Sequence, residues 1–126
     1  MSDMNISVAG ERREWFPGET MEGVASWDMG MPVKSMELRL FWYTRGKGTE
    51  DIKIVEIIQF ENPQSKDSRE FQINLPFEPY SFSGKLITLK WALELVPDSS
   101  SKAERYKFSL SQTGQPVKIG REETGI

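Results

Sequence analysis

With 126 residues, 37% of them hydrophobic and 11% aromatic, the chain has the length and apolar content of one globular domain whose core needs no metal or disulfide. Its 16 basic residues are scattered among 19 acidic ones for a formal net charge of −3, which excludes the clustered basic face that a nucleic-acid backbone requires. There is no histidine and no cysteine, so Ser-His-Asp and Cys-His nucleophile systems are excluded, as are zinc sites built on imidazole or thiolate; no cofactor or metal is implied.

The chain opens with Met1-Ser2-Asp3-Met4-Asn5, which is polar and has no basic stretch leading into an apolar run. No secretory signal is read there, and no later apolar run is long enough to span a bilayer. With no cysteine to oxidise, a cytoplasmic location is expected. A short first strand is expected over Asn5 to Ala9, and Gly10 to Glu14 is too charged for core. At Trp15-Phe16-Pro17-Gly18-Glu19, proline presets the first central dihedral of a turn and glycine supplies positive φ at the second, the signature of type II. From Met21 to Met29, residues Met21, Gly23, Ala25 and Trp27 share one face and Glu22, Ser26 and Asp28 the other. Gly23 in that strand marks a bulge or a close backbone approach.

After Gly30-Met31-Pro32, the run from Ser35 to Arg45 sets Met36, Leu38, Leu40 and Trp42 against Glu37, Arg39, Phe41 and Tyr43. Gly46 to Glu50 reads as a glycine-rich hairpin loop, followed by a β-branched strand from Asp51 to Glu61. Both faces of that strand carry isoleucine or valine, which calls for a phase slip at a bulge or for burial on both sides. Asn62 to Ser68 is a polar loop, and Arg69 to Leu75 aligns Phe71, Ile73 and Leu75. The loop from Leu75 to Gly84 holds Pro76, Pro79 and three aromatics. It feeds a long strand, Lys85 to Val96, with Ile87, Leu89, Trp91, Leu93 and Leu95 inward and Thr88, Lys90, Ala92 and Glu94 outward. Pro97 to Lys102 is a solvated turn, Glu104 to Ser111 carries Tyr106, Phe108 and Leu110 on one face, and Gln115 to Ile119 is a last edge strand. Residues 1–119 are expected to form a single domain, and 120–126 a flexible tail. The sum is an all-β, immunoglobulin-like antiparallel β-sandwich of seven or eight strands, with a closed barrel as the main competitor.

Three motifs carry a family resemblance. Phe16-Pro17-Gly18-Glu19-Thr20-Met21-Glu22-Gly23 is followed by the strand holding Leu38 and Leu40. Phe71-Gln72-Ile73-Asn74-Leu75-Pro76 then leads to Pro79-Tyr80-Ser81-Phe82-Ser83-Gly84. In their order and spacing, across most of residues 15–96, these resemble the amino-terminal half of the arrestin-like superfamily. The resemblance implies an adaptor that binds other proteins and has no catalytic site, as do arrestins, the arrestin-like retromer subunit and bacterial sporulation-control proteins. Members of the family join two such sandwiches, and these residues hold one. No clustered basic site suited to a phosphorylated tail lies on the early strands.

Candidate contact residues come from the outer phases. Phe41 and Tyr43 lie beside Arg39 and Arg45, a mixed aromatic and arginine surface of the kind enriched at protein interfaces, unless the carboxy-terminal tail roofs it. Tyr80 and Phe82 either plug one end of the sandwich or meet a partner. Trp27, Trp42 and Trp91 fall on core phases, whereas Trp15, next to Phe16, is the tryptophan expected to be exposed. An alternative function, a small-ligand or carbohydrate-binding sandwich, would use Trp15, Phe16 or Tyr43. Met21, Met29, Met31 and Met36 read as flexible core fillers around a turn, because no histidine or cysteine completes a soft-metal site. Glu56 breaks its strand's apolar phase and is read as solvent-facing beyond a bulge, not as an acid-base partner of Glu94. Thr124-Gly125-Ile126 fits a carboxylate-capture pattern only weakly. The expected partner is a protein, or a second copy paired through strand edges, with no nucleic acid and no membrane span.

Overall fold

The computed structural model describes residues 3–46, 48–84, 86–98, 103–112 and 117–118. Two sheets pack face to face. The small sheet has the order β1 (Asp3–Val8), β3 (Thr20–Asp28), β6 (Lys66–Asn74), all antiparallel. The large sheet is built on β8 (Ile87–Pro97), whose whole length pairs with β4 (Met36–Gly46), which in turn pairs with β5 (Thr49–Gln59). The other side of β8 is shared by β7 (Phe82–Ser83) and β9 (Glu104–Leu110). Two short parallel pairs complete the sheet, β2 (Glu14–Trp15) on β9 and β10 (Val117–Lys118) on β7. The barrel alternative is thereby replaced by an open sandwich with free edges.

Alternating strands place one side-chain set between the layers. Met21, Ala25 and Trp27 on β3 meet Leu38 and Leu40 on β4 and Leu89, Trp91, Leu93 and Leu95 on β8, all buried in one contiguous core. Met29 and Met36 join it, while Met31 is exposed. Trp42 is half-buried against the same core, as its phase requires.

Two glycines are set by backbone and contact. Gly18 has φ +80°, and the Glu19 N–H donates to the Phe16 carbonyl at 3.2 Å, closing the expected turn. Gly23 is the close approach, not a bulge: a Cβ there would lie 2.4 Å from the Ser7 carbonyl oxygen and 2.6 Å from the Phe71 ring.

Several expectations are corrected. Among the described residues ten strands are present, the eight expected and the two-residue β2 and β7, which have no period to read. β6 begins at Lys66, inside the stretch read as loop, because its alternation continues through Asp67 and Arg69 opposite Trp27 and Ala25. Ile87 is exposed at the mouth of the sandwich, and Ala92, on the outer phase, is fully buried. Trp15 is 2% exposed and Phe16 beside it 44%, the reverse of the expectation for the tryptophan. The parallel pairing of β2 to β9 draws Trp15 inward, its indole N–H donates to the Arg12 carbonyl at 3.3 Å, and the Arg12 guanidinium lies 4.0 Å above its ring. Of the expected last strand, Val117 and Lys118 form β10. Residues 115, 116 and 119, the tail 120–126 and Thr124-Gly125-Ile126 lie outside the described residues.

Candidate functional site

The outer face of the large sheet is built by the β4 phase that opposes the core. Phe41 and Tyr43 lie there with Ala92 of β8 in a second, small hydrophobic cluster, their rings 5.9 Å apart. They are 2% and 3% exposed. Arg105 of β9 lies against both rings, its guanidinium 5.0 Å from that of Phe41 and 5.2 Å from that of Tyr43. Glu94 holds Arg105 in place at 3.0 Å. Arg45, 5.9 Å from the Tyr43 ring and paired to Glu50 at 3.5 Å, closes one side, and Arg39, paired to Glu37, the other. Phe41, Tyr43, Arg39 and Arg45 are thus brought together, with the two rings as footing under arginines.

Tyr80 and Phe82 belong to a different place, the segment that connects β6 to β8, where Phe82 begins β7. Phe82 packs against the main core and Tyr80 is half-buried. The loop is fastened from both sides: the Trp91 indole N–H donates to the Pro79 carbonyl at 2.7 Å, and buried Ser81 accepts the Leu110 N–H at 2.9 Å. Its exposed aromatic is Phe77, at 72%.

The exposed apolar surface next to Phe41 and Tyr43 comes from β5. Opposite residues in an antiparallel pair share a face. Ile52 therefore stands beside Tyr43, Ile54 beside Phe41 and Ile57 beside Arg39 on the outer face, whereas Lys53 and Glu56 stand on the core face beside Trp42 and Leu40. This order is made by a bulge: Leu40 pairs with Glu56 and Phe41 with Ile54, leaving Val55 as the extra residue. Of the two explanations the sequence offered for this strand, the phase slip holds and burial on both sides does not. Every side chain from Glu50 to Ile57 is exposed, with Ile52 at 59%, Ile54 at 45%, Val55 at 42% and Ile57 at 47%. Even core-side Lys53 and Glu56 are uncovered, so β5 overhangs the three-stranded sheet.

These isoleucines and Arg105 are the surface residues that sequence reasoning missed. The signal was the two-sided apolarity of β5, for which the third explanation is an uncovered edge.

Two carboxylates elsewhere are committed to structure. Glu19 accepts both Arg12 guanidinium nitrogens, at 2.7 and 2.9 Å, and the Phe16 N–H at 2.7 Å. The Arg12 hydrogen bonds hold its carboxyl below the usual range. Asp67 is lowered in the same way, first by Arg69 at 2.9 Å and then by the Gln64 and Ser68 N–H groups. Glu56 and Glu94 stand on opposite faces, and Glu94 is engaged by Arg105, so the two do not form an acid-base pair. Among the described residues no cluster of acidic side chains is arranged to hold a metal ion, and no helix is long and apolar enough to cross a membrane. Two shallow depressions in the small sheet are lined mainly by polar residues such as Ser7, Glu22, Glu70 and Gln72, and the aromatics beneath them, Phe71 and Trp27, are buried.

Two packed, mainly antiparallel sheets joined in this order form an arrestin-like β-sandwich. The crystal structure of the sporulation control protein Spo0M from Bacillus subtilis has the same fold, with a TM-score of 0.61 and 15% sequence identity over 87% of this chain and 49% of that one. The chain therefore spans about half the length of that protein. A β-glucosidase from Listeria innocua, solved in complex with gluconolactone, matches with a TM-score of 0.50 and 9% identity, over 93% of this chain and 16% of the enzyme. At such identities the likeness is one of fold alone. No protein-family model and no curated protein matches the sequence.

Proposed function

We propose that the chain is a non-enzymatic, cytoplasmic interaction module, an adaptor or scaffold that binds a protein along β5 and the adjoining outer face of β4. The observation that carries this reading is the exposed run Glu50–Ile57 on an 11-residue edge strand, with four large aliphatic side chains in the open. An edge strand presents unpaired backbone N–H and C=O groups, and an added strand satisfies them while the aliphatic side chains leave water. Each fully buried isoleucine contributes roughly 1.5–3 kcal/mol of transfer free energy. Arg39, Arg45 and Arg105 provide a charged rim beside that apolar strip.

The sugar-binding alternative needs an exposed stacking surface. Of Trp15, Phe16 and Tyr43, Phe16 alone is exposed, so no observation favours it. Affinity capture with tagged protein tests the interaction reading. A protein retained by the wild type should be lost with Ile54→Lys and Ile57→Lys and kept with Phe77→Ser. Retention unaffected by both β5 changes would overturn it.

A further inference from the structure

The edges of the two sheets are not alike. β6, at the edge of the small sheet, begins Lys66-Asp67-Ser68-Arg69-Glu70, a charged run of the sort that discourages pairing. β5 instead holds Ile52-Lys53-Ile54-Val55-Glu56-Ile57, and this run is complementary to itself when reversed. Ile52 then meets Ile57, Lys53 meets Glu56, and Ile54 meets Val55.

In a regular strand this register is forbidden. Residues an odd number apart point to opposite faces, whereas a two-fold axis perpendicular to the sheet keeps every residue on its own face. The bulge at Val55 removes that conflict. Ile52 and Ile57 both stand on the outer face, opposite Tyr43 and Arg39, and Lys53 and Glu56 both stand on the core face, opposite Trp42 and Leu40. We infer that β5 recognises a second copy of this chain: two molecules pair antiparallel through β5 about a two-fold axis at Ile54–Val55, with Lys53 of each opposite Glu56 of the other. The inference rests on the reading of β5 as an interaction edge and gives that edge its partner.

The same features explain selectivity. A bulge and core-side charges are the devices by which edges reject foreign strands, because a regular strand meets them with the wrong residue count and no counter-charge. In the self-pair each charge finds its opposite. Neither Lys53 nor Glu56 makes an ion pair within the chain among the described residues, so both are available for it. A single strand pair is a small interface, so the dimer is weak, with Kd expected in roughly the micromolar range.

Light scattering and sedimentation from about 1 to 500 μM, a range chosen for a small interface, test this directly. The wild type should pass from monomer to dimer. Lys53→Glu and Glu56→Lys should each weaken self-association by on the order of tenfold, since two symmetry-related contacts turn repulsive. Mixing those two variants should restore the dimer, as should the double reversal Lys53→Glu/Glu56→Lys. Restoration on mixing also shows that both variants are folded. A wild type that stays monomeric throughout overturns the inference, as does a dimer indifferent to both reversals. In either case the capture experiment separately decides whether β5 receives a different protein or none.

Discussion

β8 and β5 are both 11-residue strands rich in aliphatic side chains, they flank the same strand β4, and they have opposite fates. On β8, Leu89, Trp91, Leu93 and Leu95 are at most 6% exposed, whereas on β5 every residue from Glu50 to Ile57 is exposed. Composition does not separate them. β8 has hydrogen-bonded neighbours on both edges and the small sheet over its inner face. β5 has a neighbour on one edge and no layer over Lys53 or Glu56. Coverage, set by the unequal widths of the two sheets, turns one apolar strand into core and the other into surface.

Substitutions should divide along the same line. Trp91→Ala removes the largest side chain at the centre of β8 and the indole bond to the Pro79 carbonyl, and should cost about 3–5 kcal/mol in denaturant unfolding. A smaller loss is expected for Gly23→Ala, where the new methyl collides with the Ser7 carbonyl and the Phe71 ring; about 1–3 kcal/mol is expected from the same measurement.

Acid should then reveal the carboxylates that fasten the turn and the edge. Glu19 and Asp67 are held below their ordinary values, so their contribution is complete above about pH 5 and is lost as the pH falls through the ordinary and then the lowered values. Melting temperature followed downward from pH 5 should fall less steeply in Glu19→Gln and Asp67→Asn than in the wild type, by a modest margin because these pairs are partly solvated. The smallest effect belongs to β5: Ile54→Thr in dilute protein should change stability by less than about 0.5 kcal/mol. A loss of several kcal/mol there would mean that β5 is covered and would erase its contrast with β8.

Much of the sandwich was legible because β3, β4 and β8 each bury a single phase, and that phase is written locally. Gly23 and the Pro17-Gly18 turn were legible for a similar reason, since glycine in those contexts has few explanations. Trp15 was not. Its position next to a turn suggests exposure, and what buries it is a parallel pairing with β9, some 95 residues away along the chain, together with the Arg12 guanidinium above its ring. The candidate site was half legible. Phe41, Tyr43, Arg39 and Arg45 share a phase, but among the described residues the rings also lie against Arg105, from a strand whose neighbours no local pattern specifies. The two-sided apolarity of β5 was visible, and a bulge was one of the two explanations it allowed. Whether the other layer reaches that far depends on how many strands each sheet collects, which is a property of the whole chain.

Amide hydrogen exchange, read strand by strand in dilute and in concentrated protein, tests the contrast between β8 and β5 most directly. β8 should be strongly protected at both concentrations. β5 should exchange readily when dilute and gain protection when concentrated, as its outer edge finds the second copy. Protection of β5 equal to that of β8 in dilute protein would contradict the uncovered edge, and exchange of β5 unchanged by concentration would contradict its pairing with itself.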